Sequence, residues 1–186
     1  MAASLPLVFV TVGTDFHPFD RLVGWVDTWL ANGGAGRARV VVQAGSSAPP
    51  RVAEGRTFLS YDEMREMVGE ASAVVCQAGP GTVALVSSLG KRSLIVPRNA
   101  ALGEVVDDHQ RAFAARLAAD GSVVMVEDER SLHEALERAL REPEWLLLDP
   151  ADAVADGAVA QVEALVEGLF GRPRPRAARV GSEASA

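Results

Sequence analysis

The chain has 186 residues, 48% of them hydrophobic, which is enough for one sizeable core, and its length favours one domain over two. Its 18 basic side chains against 25 acidic ones leave a formal charge of −7, which argues against a nucleic-acid-binding surface; an anionic ligand has to be met locally. The single Cys76 cannot form an internal disulfide and reads as a small core residue in a reducing, cytosolic setting. No apolar run approaches the roughly 18 to 20 residues that span a bilayer, and the Met1-Ala-Ala-Ser-Leu start lacks a signal peptide's basic region, so the chain is expected not to enter a membrane by itself.

Residues 5–12 are almost continuously apolar and end at Gly13, the pattern of a buried parallel strand. The loop from Thr14 to Pro18 leads into a helix with Phe19, Leu22, Val23, Val26, Trp29 and Leu30 on one side, Pro18 suiting its first turn and Asn32-Gly-Gly ending it. Residues 39–43 read as a second strand, 44–50 as a long turn, 56–59 as a short third strand and 61–69 as a helix. A strand over 73–77, a helix over 82–89, a strand over 93–96, a helix over 105–119 and a last strand over 123–126 complete a β-α alternation. It predicts an α/β fold with a single Rossmann-like, doubly wound parallel sheet. Ser131 and Glu134 have capping-box spacing before the amphipathic run Leu132, Ala135, Leu136, Ala139 and Leu140. A final helix is expected over 151–170, closing a domain of residues 1–170. The Arg/Pro-rich residues 171–186 are expected to be a disordered tail, solvated rather than bound to anionic lipid. There is no internal repeat.

The most informative stretch is 73–82, an apolar run that breaks into Gly79-Pro-Gly-Thr82 and opens a helix. Such a turn leaves backbone N–H groups at a helix N-terminus, where the macrodipole also favours an anion such as phosphate. The polar cluster 105–110, ending in His109 and Gln110, follows the next strand. In a parallel sheet both features emerge at carboxyl ends of neighbouring strands, which implies one ligand site. Other chemistries are excluded. The position after the first strand lacks Gly-x-Gly-x-x-Gly, which argues against NAD. Gly90-Lys91 has Leu85 where a P-loop requires glycine, no residue set has metal-ligand spacing, and no Gly-x-Ser-x-Gly elbow occurs.

Taken in order, Val10-Thr-Val-Gly-Thr14, Phe19-Asp-Arg-Leu-Val23, Phe58-Leu-Ser-Tyr-Asp-Glu-Met64, Gly79-Pro-Gly-Thr82, Leu89-Gly-Lys91, Ile95-Val-Pro97 and Asp107-Asp-His-Gln110 resemble the C-terminal-domain family of GT-B glycosyltransferases, the family 28 type. The resemblance covers roughly residues 5–140. Within the family the chain is similar to stand-alone donor-binding subunits, such as that of the two-part UDP-GlcNAc transferase of dolichol-linked glycan synthesis and its bacterial exopolysaccharide counterparts. This implies half of an inverting glycosyltransferase that binds a nucleotide-sugar, UDP-linked, as substrate. A membrane-anchored partner subunit would carry the lipid-linked glycan acceptor, leaving this chain cytoplasmic, peripheral at the inner face of the membrane and nearly inactive alone. A length of 186 residues leaves no room for a second half of similar size. No cofactor and no essential metal are implied. The resemblance assigns Gly79, Gly81 and Thr82 to the pyrophosphate, the backbone near Leu59 to the base, and His109 with Gln110 to the donor's sugar hydroxyls or phosphate.

The chain departs from the family at two places. The usual His-Gly-Gly-Ala-Gly-Thr turn is Gln77-Ala-Gly-Pro-Gly-Thr82, with Pro80 removing one N–H. Leu85 stands where the family commonly has a ribose-binding Glu, and a leucine cannot accept a hydroxyl's hydrogen bond.

Several residues have two readings. His17 is either a general base above the sheet or loop packing. Asp15 is better read as the cap of the following helix than as an acceptor or partner contact. Thr11, Gly13 and Thr14 either present a hydroxyl or N–H to the donor phosphate or only shape the turn. Glu104, Asp107 and Asp108 read as helix-start acids and His133 as a surface residue; Trp25, Trp29 and Trp145 read as core, with 145–148 the alternative partner-docking segment. The competing function is a non-catalytic or regulatory interaction module that kept the fold and lost the donor, with a hydrolytic or epimerase-like activity ranked last.

Overall fold

The computed structural model describes residues 4–107 and 109–149; the helix expected at 151–170, the tail at 171–186 and Asp108 lie outside the described residues. Six strands, β1 (Leu7–Thr11), β2 (Arg39–Gln43), β3 (Glu54–Arg56), β4 (Ala73–Cys76), β5 (Leu94–Ile95) and β6 (Val124–Met125), form one sheet in the order β3-β2-β1-β4-β5-β6. Every pairing between them is parallel. The helices are α1 (Asp20–Ala31), α2 (Tyr61–Glu70), α3 (Pro80–Ser88), α4 (His109–Ala119) and α5 (Glu129–Arg141).

The alternation of side chains along each strand divides the core between two faces. Val8, Val10, Val40, Val42, Val75 and Leu94 pack with the apolar sides of α1 and α5, including Leu22, Val26, Trp29, Leu132 and Leu136. On the opposite face Leu7, Phe9, Val41 and Val74 meet Val68 of α2 and Leu85 and Val86 of α3, and Cys76 and Ile95 meet Phe113 and Leu117 of α4. Burial pushes the Cys76 thiol up to about 12, so it stays protonated and inert. From β1 the chain crosses to the α1 face, and from β4 to the α3 face. The two connections therefore part above the sheet and leave a crevice between the carboxyl ends of β1 and β4, where the strand order reverses.

The doubly wound parallel sheet agrees with the sequence, whereas several element edges differ for identifiable reasons. The third strand runs Glu54–Arg56 instead of 56–59, because its backbone pairs with Val41, Val42 and Gln43 as an edge strand while Phe58 stays exposed. Ser60 then caps α2 in a capping box with Glu63. Pro18 lies ahead of the N-cap Phe19 rather than in the first turn of α1. α3 starts at Pro80, whose missing N–H costs nothing at the first helical position. α4 starts at His109 instead of 105. The capping box of α5 is Asp128 with Ser131, while Glu134 pairs with Arg130 one turn on.

Trp29 is buried and donates to Glu137, and Trp25 and Trp145 pack partly buried against the same core. His133 is not a plain surface residue, since its Nε2 lies 2.8 Å from the carbonyl of Trp25. The segment after α5 is drawn onto the body. Arg138 stacks over Trp145 and Leu146 is buried; Leu147 bridges to Lys91, so 145–148 is spent largely on internal packing.

Lys91 closes the carboxyl end of α2, its ammonium donating to the carbonyls of Val68, Gly69 and Ala71 at 2.7, 2.6 and 2.8 Å. Replacing Lys91 by Ala leaves these acceptors without their donor and should lower stability by about 1–3 kcal/mol. Urea unfolding with an unchanged m-value and a lower midpoint is the expected readout.

Candidate functional site

A cleft of about 280 Å³ opens at the β1/β4 crevice. It is lined by Thr11, Gly13 and Thr14 from β1 and its loop, by Gln43, by Leu59 and Met64 around the start of α2, and by Gln77 and the Gly79–Thr82 turn. Seven residues singled out from the sequence thus share one wall: Thr11, Gly13, Thr14, Leu59, Gly79, Gly81 and Thr82. His17, His109 and Gln110 do not line it. His17 belongs to the outgoing β1 loop, and His109 and Gln110 open α4 beyond the neighbouring strand β5.

α3 begins without a side-chain cap, and Val83 is the residue whose N–H reaches back to Gly79. The first-turn amides of Gly81 and Thr82 therefore face the cleft as helix N-terminal donors on a nine-residue helix. A Cβ added at Gly81 would meet nothing within 4 Å, so the turn leaves room for another molecule to approach the backbone.

Gln77 is the residue that sequence reasoning passed over. It is 8% exposed, and its Oε1 is buried without a hydrogen-bond partner. The carboxamide fills the space where two neighbours lack side chains: a Cβ on Gly13 would lie 2.2 Å from Nε2, and one on Gly79 2.7 Å from it. Gly13 is also held at φ +80°, so glycine is required there on two grounds. The signal was available in the unusual glutamine ahead of the turn, but its contact with Gly13 depends on β1 and β4 being neighbours.

Of the two readings of Thr11, the hydrogen bonds supply the turn-shaping one. Its hydroxyl is wholly buried, donates to Gln43 Oε1 in a short contact and accepts from the Gly13 N–H at 3.1 Å. Gln43 in turn donates to the carbonyls of Gly13 and Thr57, tying both loops to the sheet edge. Leu85, at the expected ribose position, points into the core against α2 and does not reach the cleft.

Asp15 does not cap α1. Its Oδ1 accepts from the backbone N–H of His17 at 2.8 Å and lies 2.7 Å from His17 Nδ1, closing a tight turn within the loop. Partial burial works to raise the Asp15 carboxyl, but the His17 amide, the His17 ring and the charge of Arg98 outweigh it and hold the group below its ordinary value. Arg98 is a second residue missed in the sequence. Only 1% exposed, it donates to the carbonyls of Val12, His17 and Glu104 at 2.8, 2.8 and 2.6 Å and lies over the Phe19 ring. Burial draws the Arg98 pKa down, partly offset by the Asp15 and Glu104 carboxylates. Glu104 is no helix-start acid; its carboxylate takes both Arg21 and the Asn99 N–H.

His109 Nδ1 is 2.7 Å from Asp107, and Gln110 holds a buried Oε1 without a partner. A larger groove of about 540 Å³ between α1 and the 48–52 loop carries Asp20 and Asp27, yet both carboxylates accept backbone N–H groups of Ala48, Arg51 and Val52 and so serve the loop.

The family model of the glycosyltransferase family 28 C-terminal domain matches residues 7–164. A UDP-N-acetylglucosamine–N-acetylmuramyl-(pentapeptide) pyrophosphoryl-undecaprenol N-acetylglucosamine transferase of Trichlorobacter lovleyi is 35% identical over 136 residues, covering 69% of this chain and 34% of the relative. The protein so described from Chlorobium phaeobacteroides is 29% identical over 176 residues, covering 83% and 46%. The chain thus spans between a third and a half of the length of these relatives. Among solved structures, MurG of Acinetobacter baumannii superposes with a TM-score of 0.55 at 18% identity, over 90% of this chain and 51% of that one. The UDP-GlcNAc 2-epimerase of Neisseria meningitidis gives 0.57 at 11% identity, over 90% and 45%. At such identities the likeness is one of fold.

Two outcomes test the geometry. Gly13→Ala should be strongly destabilising, since the added methyl meets the Gln77 carboxamide and the backbone is left-handed; thermal unfolding would show it. Because the folded Asp15 carboxyl titrates below its unfolded value of about 3.9, its contribution is complete above that pH and is lost as the pH falls through the lowered value. The amide signal of His17 followed by NMR on acidification should move in that window and not in Asp15→Asn.

Proposed function

The chain belongs to the glycosyltransferase family 28 C-terminal-domain family, and from that premise we propose that it binds a UDP-linked sugar and presents it for inverting transfer to a lipid-linked acceptor. One observation carries this reading: uncapped first-turn amides and a buried, unpartnered carboxamide oxygen converge on a single cleft at the β1/β4 switch point. The amides of Gly81 and Thr82 suit a diphosphate, contributing about 0.3–2 kcal/mol per charge. Leu59 and Met64 form an apolar wall for the base. Gln110 lies outside this cleft, at the start of α4 beyond β5; its buried Oε1, which accepts nothing within the protein, is assigned a sugar hydroxyl reaching beyond the cleft, with His109 beside it.

In the reaction the acceptor oxygen attacks the anomeric carbon from the face opposite the diphosphate, and the bond between that carbon and the diphosphate oxygen breaks, its electron pair leaving on the diphosphate. The α3 amides are placed where that negative charge grows, so they favour the transition state over the bound donor. No residue of this chain forms a covalent bond to the sugar. The relatives' names describe transfer of N-acetylglucosamine to a pyrophosphoryl-undecaprenol acceptor, which supports a nucleotide-sugar donor and a lipid acceptor here.

We assign the acceptor site to a membrane-associated partner. In this reading the partner supplies the membrane attachment and holds this chain at the cytoplasmic face; none of the helices among the described residues is long and apolar enough to cross a membrane. No cofactor or metal takes part in this scheme, and the partners are the nucleotide-sugar, the acceptor-binding subunit and the lipid-linked glycan.

Calorimetry with UDP-GlcNAc and UDP is the direct test. Gly81→Val, whose side chain enters open space in the cleft, should fold normally and lose about tenfold or more in affinity for both. Gln110→Ala should lose about tenfold for the sugar nucleotide, corresponding to one hydrogen bond, with UDP unaffected. Absence of binding by the wild-type chain would overturn the donor reading, and full transfer by the chain alone would overturn the need for a partner.

A further inference from the structure

His17 and Asp15 form a hydrogen-bonded pair that donor binding does not use. They sit on the β1 loop three residues and one residue beyond Thr14, which lines the cleft. The loop that carries them is held at three points. Arg98 donates to the His17 carbonyl, Ser46 donates to the Asp15 carbonyl at 3.1 Å, and Ser47 accepts the N–H of Phe19 at 2.7 Å. The His17 ring is further backed by the Phe16 ring, 3.9 Å between centroids. With so many tethers, the ring's orientation is set before any substrate arrives.

One nitrogen of this ring is committed. Asp15 Oδ1 lies 2.7 Å from Nδ1, and because an ionised carboxylate can only accept, a neutral ring beside it carries its proton on Nδ1 and keeps the lone pair on Nε2. The side chains remain accessible, 21% exposed for His17 and 35% for Asp15, so a substrate hydroxyl can approach the ring.

We propose that Asp15 is the positioning residue of a proton-accepting His17: it fixes the Nδ1–H tautomer, so that Nε2 takes the proton of the acceptor hydroxyl as that oxygen bonds to the anomeric carbon. This rests on the transfer reading above. The electron pair of the breaking sugar–oxygen bond leaves on the diphosphate, the proton ends on Nε2, and the resulting imidazolium faces the Asp15 carboxylate until it releases the proton to water. Other charges face the pair. The Arg98 guanidinium lies below it, bonded to the His17 carbonyl, and Glu104 lies beyond, paired with Arg21. Arg98 adds its charge to the larger effect of the His17 amide and ring in favouring the ionised Asp15, and it holds the loop without itself meeting the substrate.

Two measurements test this on the full chain. Nitrogen-15 NMR of histidine-labelled protein at neutral pH reads the ring. His17 is expected to carry its proton on Nδ1, and Asp15→Ala to return it to the Nε2–H form favoured by free imidazoles. A wild-type ring protonated on Nε2 alone would overturn the proposal. In membranes of the host complemented with each variant, with UDP-GlcNAc as donor, His17→Gln should lower kcat about 100-fold or more and Asp15→Asn about tenfold. The Kd for UDP-GlcNAc should stay within about twofold of wild type. Full kcat in either variant overturns the assignment. Failure of the wild-type chain to bind UDP-GlcNAc would strike the donor reading instead, and the ring's proton position would still decide the role of Asp15.

Discussion

The carboxyl edge of this sheet is organised around one buried cation. Arg98 follows β5, yet its guanidinium reaches past the end of β4 to the carbonyls of Val12 and His17 and back to that of Glu104. A charge with 1% exposure is tolerable only when most of its protons are spent on acceptors; the three carbonyls occupy both terminal nitrogens and the Phe19 face backs the group, while Nε stays buried without a partner. Glu104 closes the circuit by holding Arg21 of α1 and the Asn99 amide. The loops after β1 and β5, which sequence separates by some eighty residues, are thereby fastened together across the strand between them. Loss of the guanidinium would leave several buried acceptors bare at once, so this contact is an all-or-none element of the edge.

That fastening sets the space in which the cleft forms. The β1 loop passes to one face and the glycine turn to the other, and what lies between them is fixed by side chains too tightly fitted to shift independently. Thr11, Gln43 and Gln77 form a buried polar floor, with Gly13 and Gly79 yielding the volume that the Gln77 carboxamide occupies. Above the floor, the start of α3 offers amides and open space. The arrangement separates duties: the floor holds shape, the helix start meets charge, and the rim loop with Asp15 and His17 stands where an incoming hydroxyl would arrive.

Much of this was legible in the chain. Apolar runs of strand length alternating with helical periodicity are enough to specify a doubly wound parallel sheet, and Gly79-Pro-Gly-Thr82 announces a helix that begins without a cap. Edges were read less well. The third strand was displaced onto Glu54–Arg56 because an edge strand is chosen by its backbone partner, not by the hydrophobicity of residues 57–59. The box at α5 moved to Asp128 because a capping pair is settled by where the chain leaves extended geometry, and two overlapping polar triplets fit the same spacing. Asp15 was read as a cap on proximity alone, whereas its nearest donors are the amide and ring of His17 two residues on.

By itself the sequence determined the class of fold, the order of its elements and the glycine turn, because these follow from local periodicity, backbone permissiveness and the missing N–H of Pro80. Only the tertiary structure decided that Gln77 belongs to the cleft, that Arg98 is buried, that Thr11 spends its hydroxyl on the turn, and that Leu85 packs inward. The reason is physical: each of these depends on which strand lies beside which, and a hydrogen bond or collision between residues thirty to ninety positions apart leaves no mark on the local pattern of either one.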